Sequence, residues 1–392
     1  MPPSTTSPAT SHDVHPFTLA VPQADLDDLH DRLRRVRWPQ AETVADSSQG
    51  PRLAKLQALC DYWLTTYDWR RCERALNAMG QHHTAIDGLD IHFLHVRSPE
   101  PDAMPLLLTH GWPGSVLEFQ DLVGRLTDPA AHGGDRRDAF HVVVPSLPGF
   151  GLSGSPTAPG WDVARIARAW ATLMDRLGYG SWGAQGGDWG AAVTTTLGHQ
   201  APAGLVGIHL NLVMFQPTPE EVAQADPEEQ AMLRDAERYY TRLSAYSALQ
   251  GTRPQTIGYS LADSPVGLAA WIYTLFDDVS DHDGDVEDVL TLDQMLDDIT
   301  LYWLTNTGAS SARLYWESMA SMTSREPVPS MALPTAISMF PGEQVRLSRR
   351  WAEARFDDLV HFNQLPAGGH FAAMEQPAAL TDEIRTAFRS LR

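Results

Sequence analysis

The sequence has 392 residues, of which 43% are hydrophobic, so it can form one large α/β domain with insertions or two domains. Its formal net charge of −20 makes nucleic acid and anionic membrane surfaces poor candidates for partners. The N-terminus is polar and proline-rich without the apolar run of a signal peptide, and we expect no membrane-spanning segment. Two cysteines, Cys60 and Cys72, are too few for a disulfide framework and predict a cytoplasmic location.

The first part of the chain is predicted to be helical. Residues 1 to about 14 are expected to form a disordered tail. Leu26, Leu29, Leu33 and Val36 then recur at spacings of three and four, which is typical of an amphipathic helix. A second helical stretch covers roughly residues 51–79. The first strand signal is "HHTAIDGLDIHFLHV", which predicts a hairpin turning at Asp87-Gly88.

A repeated pattern of strand and turn follows. Short apolar strands enter glycine-rich turns in "MPLLLTHGWPGS", "FHVVVPSLPGFG" and "WGAQGGDWG", and a fourth strand lies in "GLVGIHLNLV". Such strands alternating with helices indicate a parallel sheet covered on both faces. Residues 214 to about 330 are helix-like without a clear strand. The pattern then returns in "PTAISMFPGE" and "DLVHFNQLPAGGHF".

This order predicts an α/β-hydrolase fold with a helical cap inserted into the core. The expected units are an N-terminal tail and helical extension (1–80), a first part of the core (81–213), the cap (214–330) and a second part of the core (331–392). The core sheet is expected to be mostly parallel.

Three residues in the predicted turns have the chain order of a hydrolase triad. Functional groups in α/β sheets collect at the carboxyl ends of strands. "GGDWG" has the frame of the G-x-S-x-G nucleophile turn, with Asp188 in place of serine. Glu343 in "FPGE" and His370 in "GGHF" follow in the order nucleophile, acid, histidine. Each residue alone fits a turn former or a surface charge; the order favours a catalytic set.

Two other motifs are rejected. Gly149, Gly151 and Gly154 fit G-x-G-x-x-G, but the following "SPTAPG" is a poor start for the helix that a dinucleotide site needs. We interpret "SLPGFGLSG" instead as a loop near the active site. The acidic stretch around Asp283 has its glycine in the wrong place for a calcium loop, so we expect a solvated loop there.

With these motifs, the sequence resembles the microsomal-type epoxide hydrolases, which include juvenile-hormone and bacterial soluble members. The resemblance covers nearly the whole chain: "VPQADLDDLHDRLRRVRWP", "HGWPGS", "SLPGFGLSG", "GGDWG", "DSPVGLAAWI", "FPGE" and "GGHFAAMEQP". Membrane-bound relatives carry an N-terminal anchor helix, which we do not expect here.

The resemblance implies a role for five residues. Asp188 is the nucleophile, His370 the general base, and Glu343 the acid that orients it. Tyr315, in "SSARLYWESM", and Tyr246, in "LSAYSALQGTRP", are the cap tyrosines that hold the epoxide oxygen. Neighbouring Tyr239 and Tyr240 remain alternatives to Tyr246, which shares a helical stripe with Leu243 and could belong to the core.

The expected reaction also needs oxyanion donors, and it indicates which cofactors and partners to expect. The N–H groups of Trp112 and Trp189 are the expected donors to the oxyanion of ester hydrolysis. No metal or organic cofactor is required. The expected partner is a small-molecule epoxide, with a homodimer as an option.

Three alternatives stay open. A haloalkane dehalogenase would use the same acid and histidine, with tryptophan N–H groups, one of them from Trp189, around the halide. A serine-type esterase is disfavoured by Asp188. A non-catalytic binding protein could have the same fold, because fold alone does not fix function. The pair of cap tyrosines and the "HGWPG" loop favour an epoxide.

Overall fold

The computed structural model describes residues 13–322 and 329–392. Within these ranges, nine strands form one mixed sheet in the order β1-β2-β3-β5-β4-β6-β7-β8-β9. The strands are β1 His15–Pro16, β2 Gln81–Ile86, β3 Leu89–Val96, β4 Met104–Thr109, β5 Phe140–Pro145, β6 Trp182–Gly186, β7 Leu205–Leu210, β8 Thr335–Met339 and β9 Leu359–Gln364. Strands β4 to β9 are parallel, and β1 to β3 extend the sheet antiparallel from β5.

Helices cover the sheet and fill the long connection between β7 and β8. The helices are α1 Gln23–Arg34, α2 Leu53–Thr65, α3 Trp69–Ala78, α4 Gln120–Thr127, α5 Val163–Arg176, α6 Asp188–Gln200, α7 Pro219–Ala223, α8 Pro227–Arg238, α9 Ala245–Thr252, α10 Pro254–Asp263, α11 Pro265–Val279, α12 Leu292–Thr305, α13 Gly308–Met322, α14 Arg349–Glu353, α15 Ala372–Glu375 and α16 Pro377–Phe388. No helix in the described ranges is both long and apolar enough to cross a membrane.

The centre of the sheet is covered on both faces. The runs Leu106–Leu108 in β4 and Val142–Val144 in β5 are completely buried. Because successive side chains of a strand point to opposite faces, an unbroken buried run requires packing on both sides. The predicted parallel α/β core is therefore confirmed, and its carboxyl edge carries the loops described below.

The predicted hairpin between β2 and β3 is confirmed. Ile86 pairs with Leu89, and between them Asp87 and Gly88 have φ angles of 51° and 79°. Two left-handed residues make a turn whose twist matches that of the strands, and aspartate followed by glycine is a preferred sequence for it.

The N-terminal segment differs from the sequence prediction in two respects. His15–Pro16 forms a two-residue strand on β2, upstream of the first predicted strand, because pairing with His82 and His83 gives this short segment a partner. The helical stretch 51–79 is two helices, and the side chain of Asp68 begins the second by accepting the N–H of Arg70. Helix α1 buries Leu26, Leu29 and Leu33 as predicted, but it ends at Arg34, so Val36 lies outside it. Residues 1–12 of the predicted tail lie outside the described residues.

The helical extension packs against the connection between β7 and β8. Tyr67 donates a hydrogen bond to Asp297 of α12 at 2.6 Å, and Arg71 pairs with the same carboxylate at 2.8 Å. Lys55 pairs with Asp285 at 2.5 Å. Between β7 and β8 the described residues contain helices and no strand, as expected for an inserted cap. The exact domain boundaries stay predictions.

Candidate active site

Asp188 lies on a sharp turn between β6 and α6. Its φ angle is 48°, a left-handed conformation that is uncommon for a residue other than glycine and typical of strained functional sites. A Cβ atom at Gly186 would overlap the carbonyl of Gly190, and one at Gly190 would overlap the carbonyl of Thr109. The turn therefore needs both glycines, and it presents the Asp188 carboxylate at the carboxyl edge of the sheet.

His370 and Glu343 meet Asp188 at this edge. His370 Nδ1 lies 2.8 Å from Glu343 Oε2, and His370 Nε2 lies 3.4 Å from Asp188 Oδ2. Glu343 is only 4% exposed, and its other oxygen accepts the N–H of Gln344 at 2.8 Å. The three side chains come from the loops after β6, β8 and β9, and the structure brings them together as the chain order predicts.

The charges around His370 control its pKa. Burial by itself would lower that pKa, but the carboxylate of Glu343 and both the hydrogen bond and the charge of Asp188 hold it well above its usual value. The two acidic neighbours therefore favour the protonated form of His370. Neutralising either carboxylate removes part of what raises the pKa and favours the neutral imidazole.

Trp112 contacts Asp188 from the loop after β4. Its backbone N–H donates to Asp188 Oδ1 at 2.7 Å. Ser115 and Asp298 hydrogen-bond at 2.5 Å, and Tyr302 donates to the carbonyl of Gly114 at 2.9 Å. Two residues of α12 thus hold the loop that carries the Trp112 N–H.

Trp189 follows Asp188 directly in the first turn of α6. The first N–H groups of a helix have no acceptor within the helix, so this position of Trp189 suits donation to an external oxygen. Its ring is buried and packs edge-on against Tyr315, with 4.7 Å between ring centroids. Its N–H stays the second predicted donor to the oxyanion.

Tyr246 and Tyr315 lie above Asp188 and Trp112. Tyr246 stacks on the Trp112 ring at 5.1 Å, and Tyr315 meets that ring edge-on at 5.8 Å. The two tyrosine ring centroids are 6.0 Å apart, and their exposed fractions are 8% and 4%. Burial raises the pKa of both phenols well above the usual value, and the charge of Asp188 adds to the rise. Both hydroxyls therefore stay protonated as donors.

The structure separates Tyr246 from its two sequence neighbours. Tyr239 lies in a π-helical turn, Tyr239–Leu243, and its hydroxyl is 2.7 Å from that of Tyr246. Tyr240 is 61% exposed. Of the three, Tyr246 stacks on Trp112, and Tyr239 contacts the hydroxyl of Tyr246.

The loop of His370 is held by two acids to which the sequence assigned no role. Glu375 accepts the N–H groups of Gly369 and Phe371, at 2.8 and 2.9 Å, and that of Asp281. Asp281 in turn accepts the N–H of Gly368 at 2.7 Å. The acidic stretch is a loop in which Asp283 is exposed, as predicted. Its Asp281 in addition contacts Gly368, 87 residues away in the chain, and the sequence did not predict this contact.

The "SLPGFGLSG" loop lies beside the loop after β4. The N–H of Leu147 donates to the ring of His110 at 3.1 Å, and Phe150 packs edge-on against that ring. No helix follows this loop until α5 at Val163, so rejection of the dinucleotide motif is confirmed. Ser310 of α13 donates to the carbonyl of Gly149 at 2.6 Å.

Comparisons with known proteins agree on one family. The family model for the epoxide hydrolase N terminus matches residues 14–119, and the model for the alpha/beta hydrolase fold matches residues 104–254. A Stigmatella aurantiaca protein named "Putative epoxide hydrolase" is 56% identical over 97% of this chain and 86% of its own length. Epoxide hydrolase 1 of Sus scrofa is 33% identical over 96% of this chain and 89% of its own.

Solved structures give the same result. The epoxide hydrolase of Aspergillus niger matches with a TM-score of 0.87 and 32% identity, over 98% of each chain. The juvenile hormone epoxide hydrolase of Bombyx mori matches with a TM-score of 0.88 and 28% identity, over 97% of this chain and 95% of the other. These likenesses extend over the core, the connection between β7 and β8 and the N-terminal segment. The chain therefore belongs to the epoxide hydrolase family.

Proposed function

We propose that the protein hydrolyses a small-molecule epoxide to a vicinal diol through a covalent ester on Asp188. The observation that carries the proposal is the position of the Asp188 carboxylate. One oxygen accepts the N–H of Trp112 at 2.7 Å, and the other lies 3.4 Å from His370 Nε2. The carboxyl group of the proposed nucleophile is thus next to both the proposed base, His370, and a proposed oxyanion donor, the N–H of Trp112.

A carboxylate suits this substrate better than a serine hydroxyl. An epoxide carbon is a strained electrophile without a carbonyl group, so attack by serine would leave an ether that water cannot readily hydrolyse. Attack by Asp188 Oδ2 forms a C–O bond and breaks one ring C–O bond, which leaves an ester and an alkoxide. Water can then attack the ester carbonyl and restore the carboxylate. The difficult reaction becomes two easier ones.

Tyr246 and Tyr315 supply the proton for the first step. Charge develops on the epoxide oxygen as the ring opens, and two phenol donors above Asp188 stabilise and protonate that oxygen. Their raised pKa values support this role, because the phenols remain protonated until the stronger base, the alkoxide, forms.

His370 drives the second step. Formation of the ester removes the charge of Asp188, which is one of the causes that raise the pKa of His370. The imidazolium then gives up its proton, which replaces the one that the tyrosines passed to the alkoxide. The neutral imidazole takes one proton from water as the oxygen attacks the ester carbon. Glu343 stabilises the resulting imidazolium. The oxyanion forms where Oδ1 accepts the N–H of Trp112, with the N–H of Trp189 as the second proposed donor.

Substitution of the tyrosines tests their roles. Replacing Tyr315 or Tyr246 with phenylalanine should slow ring opening by about 10²-fold, because each removes a positioned donor. The double variant should be nearly inactive on epoxides. The matched control Tyr239→Phe removes a hydroxyl that lies at 2.7 Å from that of Tyr246, and we expect a loss of about tenfold at most.

The measurement is the rate of ester formation in a single turnover with excess enzyme. A double variant with the wild-type rate would assign both tyrosines to packing and favour the dehalogenase alternative. A larger loss in Tyr239→Phe than in Tyr246→Phe would exchange the roles of these two residues.

The pH dependence of ester hydrolysis tests the electrostatic role of Glu343. The rate should rise with pH through the pKa of His370 in the ester, since only the neutral imidazole accepts a proton. Glu343→Gln removes a charge that raises this pKa. The acid limb of the profile should therefore move to lower pH while the maximal rate falls. A limb that stayed in place would mean that another group sets the profile.

A panel of aromatic and aliphatic epoxides, with chiral analysis of the diols, tests the overall activity. Chloroalkanes in the same assay test the dehalogenase alternative, and no turnover on either class would favour a binding protein. A cytoplasmic location and a homodimer stay predictions; the two cysteines are free and buried, which is compatible with a reducing compartment.

A further inference from the structure

A small cavity lies beside the proposed nucleophile, on the side of the core. Its volume is about 20 Å³, and Glu118, Gln185, Asn211, Asp188 and His370 are among the residues that line it. A polar cavity needs roughly 10–15 Å³ to hold one water molecule, with two to four polar partners. The cavity thus has room for about one water molecule next to Asp188, which carries the proposed ester, and His370, the proposed base.

Glu118 faces this cavity from the loop that carries Trp112. It belongs to the short 3₁₀ turn Val116–Phe119, and the N–H of Gly111 donates to its carboxyl group. A Cβ atom at Gly114 would overlap a carboxyl oxygen of Glu118, so the glycine leaves the space that this carboxyl fills. The side chain is fixed in one place although the mechanism above gives it no role.

The surroundings of Glu118 favour the protonated form of its carboxyl group. Burial raises its pKa well above the usual value, and the charge of Asp298 raises it further, whereas His370 opposes the rise. A protonated carboxyl carries an O–H donor, in contrast to the neighbouring carboxylates, which only accept. It does not compete with His370 as a base.

Gln185 offers an acceptor to the same cavity. Its side chain is 1% exposed, and its amide nitrogen donates to Asn211 at 2.8 Å. Its carbonyl oxygen has no hydrogen-bond partner within the part of the chain that the structure describes. A buried acceptor without a partner costs on the order of 1–3 kcal/mol, so the site favours a ligand that donates to it.

We propose that this cavity binds the water that hydrolyses the Asp188 ester, and that Glu118 and Gln185 position it. The proposal rests on the function proposed above. The water donates one O–H to His370 Nε2 and the other to Gln185 Oε1, and it accepts the O–H of Glu118. Its remaining lone pair attacks the carboxyl carbon of Asp188. The first proton goes to His370, and collapse of the tetrahedral oxyanion breaks the ester C–O bond. The alkoxide that leaves takes the second proton of the attacking water, so the diol is released and Asp188 is again a carboxylate.

Single-turnover kinetics with intact-mass detection of the ester test this role. Glu118→Ala should form the ester at a rate within about twofold of wild type, and hydrolyse it about tenfold more slowly, because the water loses one hydrogen bond. The ester should therefore accumulate during turnover. Glu118→Gln keeps an N–H donor of similar shape and should hydrolyse the ester within about threefold of wild type.

Two further variants complete the design. Gln185→Met removes the acceptor at similar volume and should slow hydrolysis selectively, so it provides the same test if Glu118→Ala does not fold. Asp121→Ala is the matched control, because Asp121 is exposed on the adjacent helix α4 and does not line the cavity. It should match wild type in both steps.

Three results would overturn the proposal. Hydrolysis at the wild-type rate in Glu118→Ala and Gln185→Met would mean that neither residue positions the water. Equal slowing of both steps would mean that Glu118 only supports the Trp112 loop, since Trp112 contacts Asp188 during attack as well. If ester hydrolysis slowed equally in Glu118→Gln and Glu118→Ala, the side chain of Glu118 would not act as a hydrogen-bond donor to the water. Failure of the proposed function itself is distinguishable, because then no variant, nor the wild type, would form an ester.

Discussion

Asp188→Asn should abolish turnover without unfolding the protein, with a loss of roughly 10⁴-fold or more, as expected when a covalent nucleophile is removed. An amide is a poor nucleophile of nearly the same shape. Asparagine also tolerates the left-handed backbone of this position, where φ is 48°. Epoxide turnover and thermal unfolding of the purified variant are the measurements.

The control for this variant is peptide mass spectrometry, since deamidation of the introduced asparagine back to aspartate would restore activity. Substantial turnover with deamidation excluded would contradict the assignment of the nucleophile. An inactive variant that unfolds at the wild-type temperature would support it.

His370→Gln should separate the two steps. Ester formation needs only the ionised carboxylate and the tyrosine donors, so it should continue. Hydrolysis loses its general base and should slow by roughly 10²–10⁴-fold. Intact-mass spectrometry should then show the protein carrying one substrate mass, on the peptide that contains Asp188.

The matched control is His110, which is completely buried near the site and contacts Leu147 and Gly111 instead of the triad. His110→Gln should accumulate no ester, whatever its effect on stability. A folded His370→Gln protein that binds substrate but forms no adduct would count against the two-step reaction.

The sequence predicts the elements that depend on local patterns. Several predicted strands enter glycine-containing turns, and the carboxyl ends of parallel strands lie along one edge of the sheet. The positions of Asp188, Glu343 and His370 in such turns therefore predict their proximity. The hairpin at Asp87-Gly88 has the same kind of local cause, since two left-handed residues are needed there.

Features that depend on distant contacts could not be predicted in this way. The strand at His15–Pro16 exists through pairing with β2, and it has no strand pattern of its own. Glu118 follows an apolar run and has the sequence context of a helical surface residue. Only the fold shows that it lines the cavity at Asp188.

The choice among the cap tyrosines is a second example. Tyr239, Tyr240 and Tyr246 lie within eight residues, and helical spacing cannot distinguish them. The π-helical turn at Tyr239–Leu243 changes the angle between successive side chains, so that Tyr239 meets Tyr246 and Tyr240 faces solvent. Such a turn has no reliable sequence signal.

The origin of the diol oxygen tests the covalent mechanism most directly. If Asp188 attacks carbon, the oxygen added in the first turnover comes from its carboxylate, and the solvent oxygen enters Asp188 when the ester is hydrolysed. A single turnover in ¹⁸O-water with excess enzyme should therefore give unlabelled diol and a labelled peptide containing Asp188, and repeated turnovers should then label the diol. A labelled diol in the first turnover would mean that water attacks the epoxide directly, with Asp188 acting as a base.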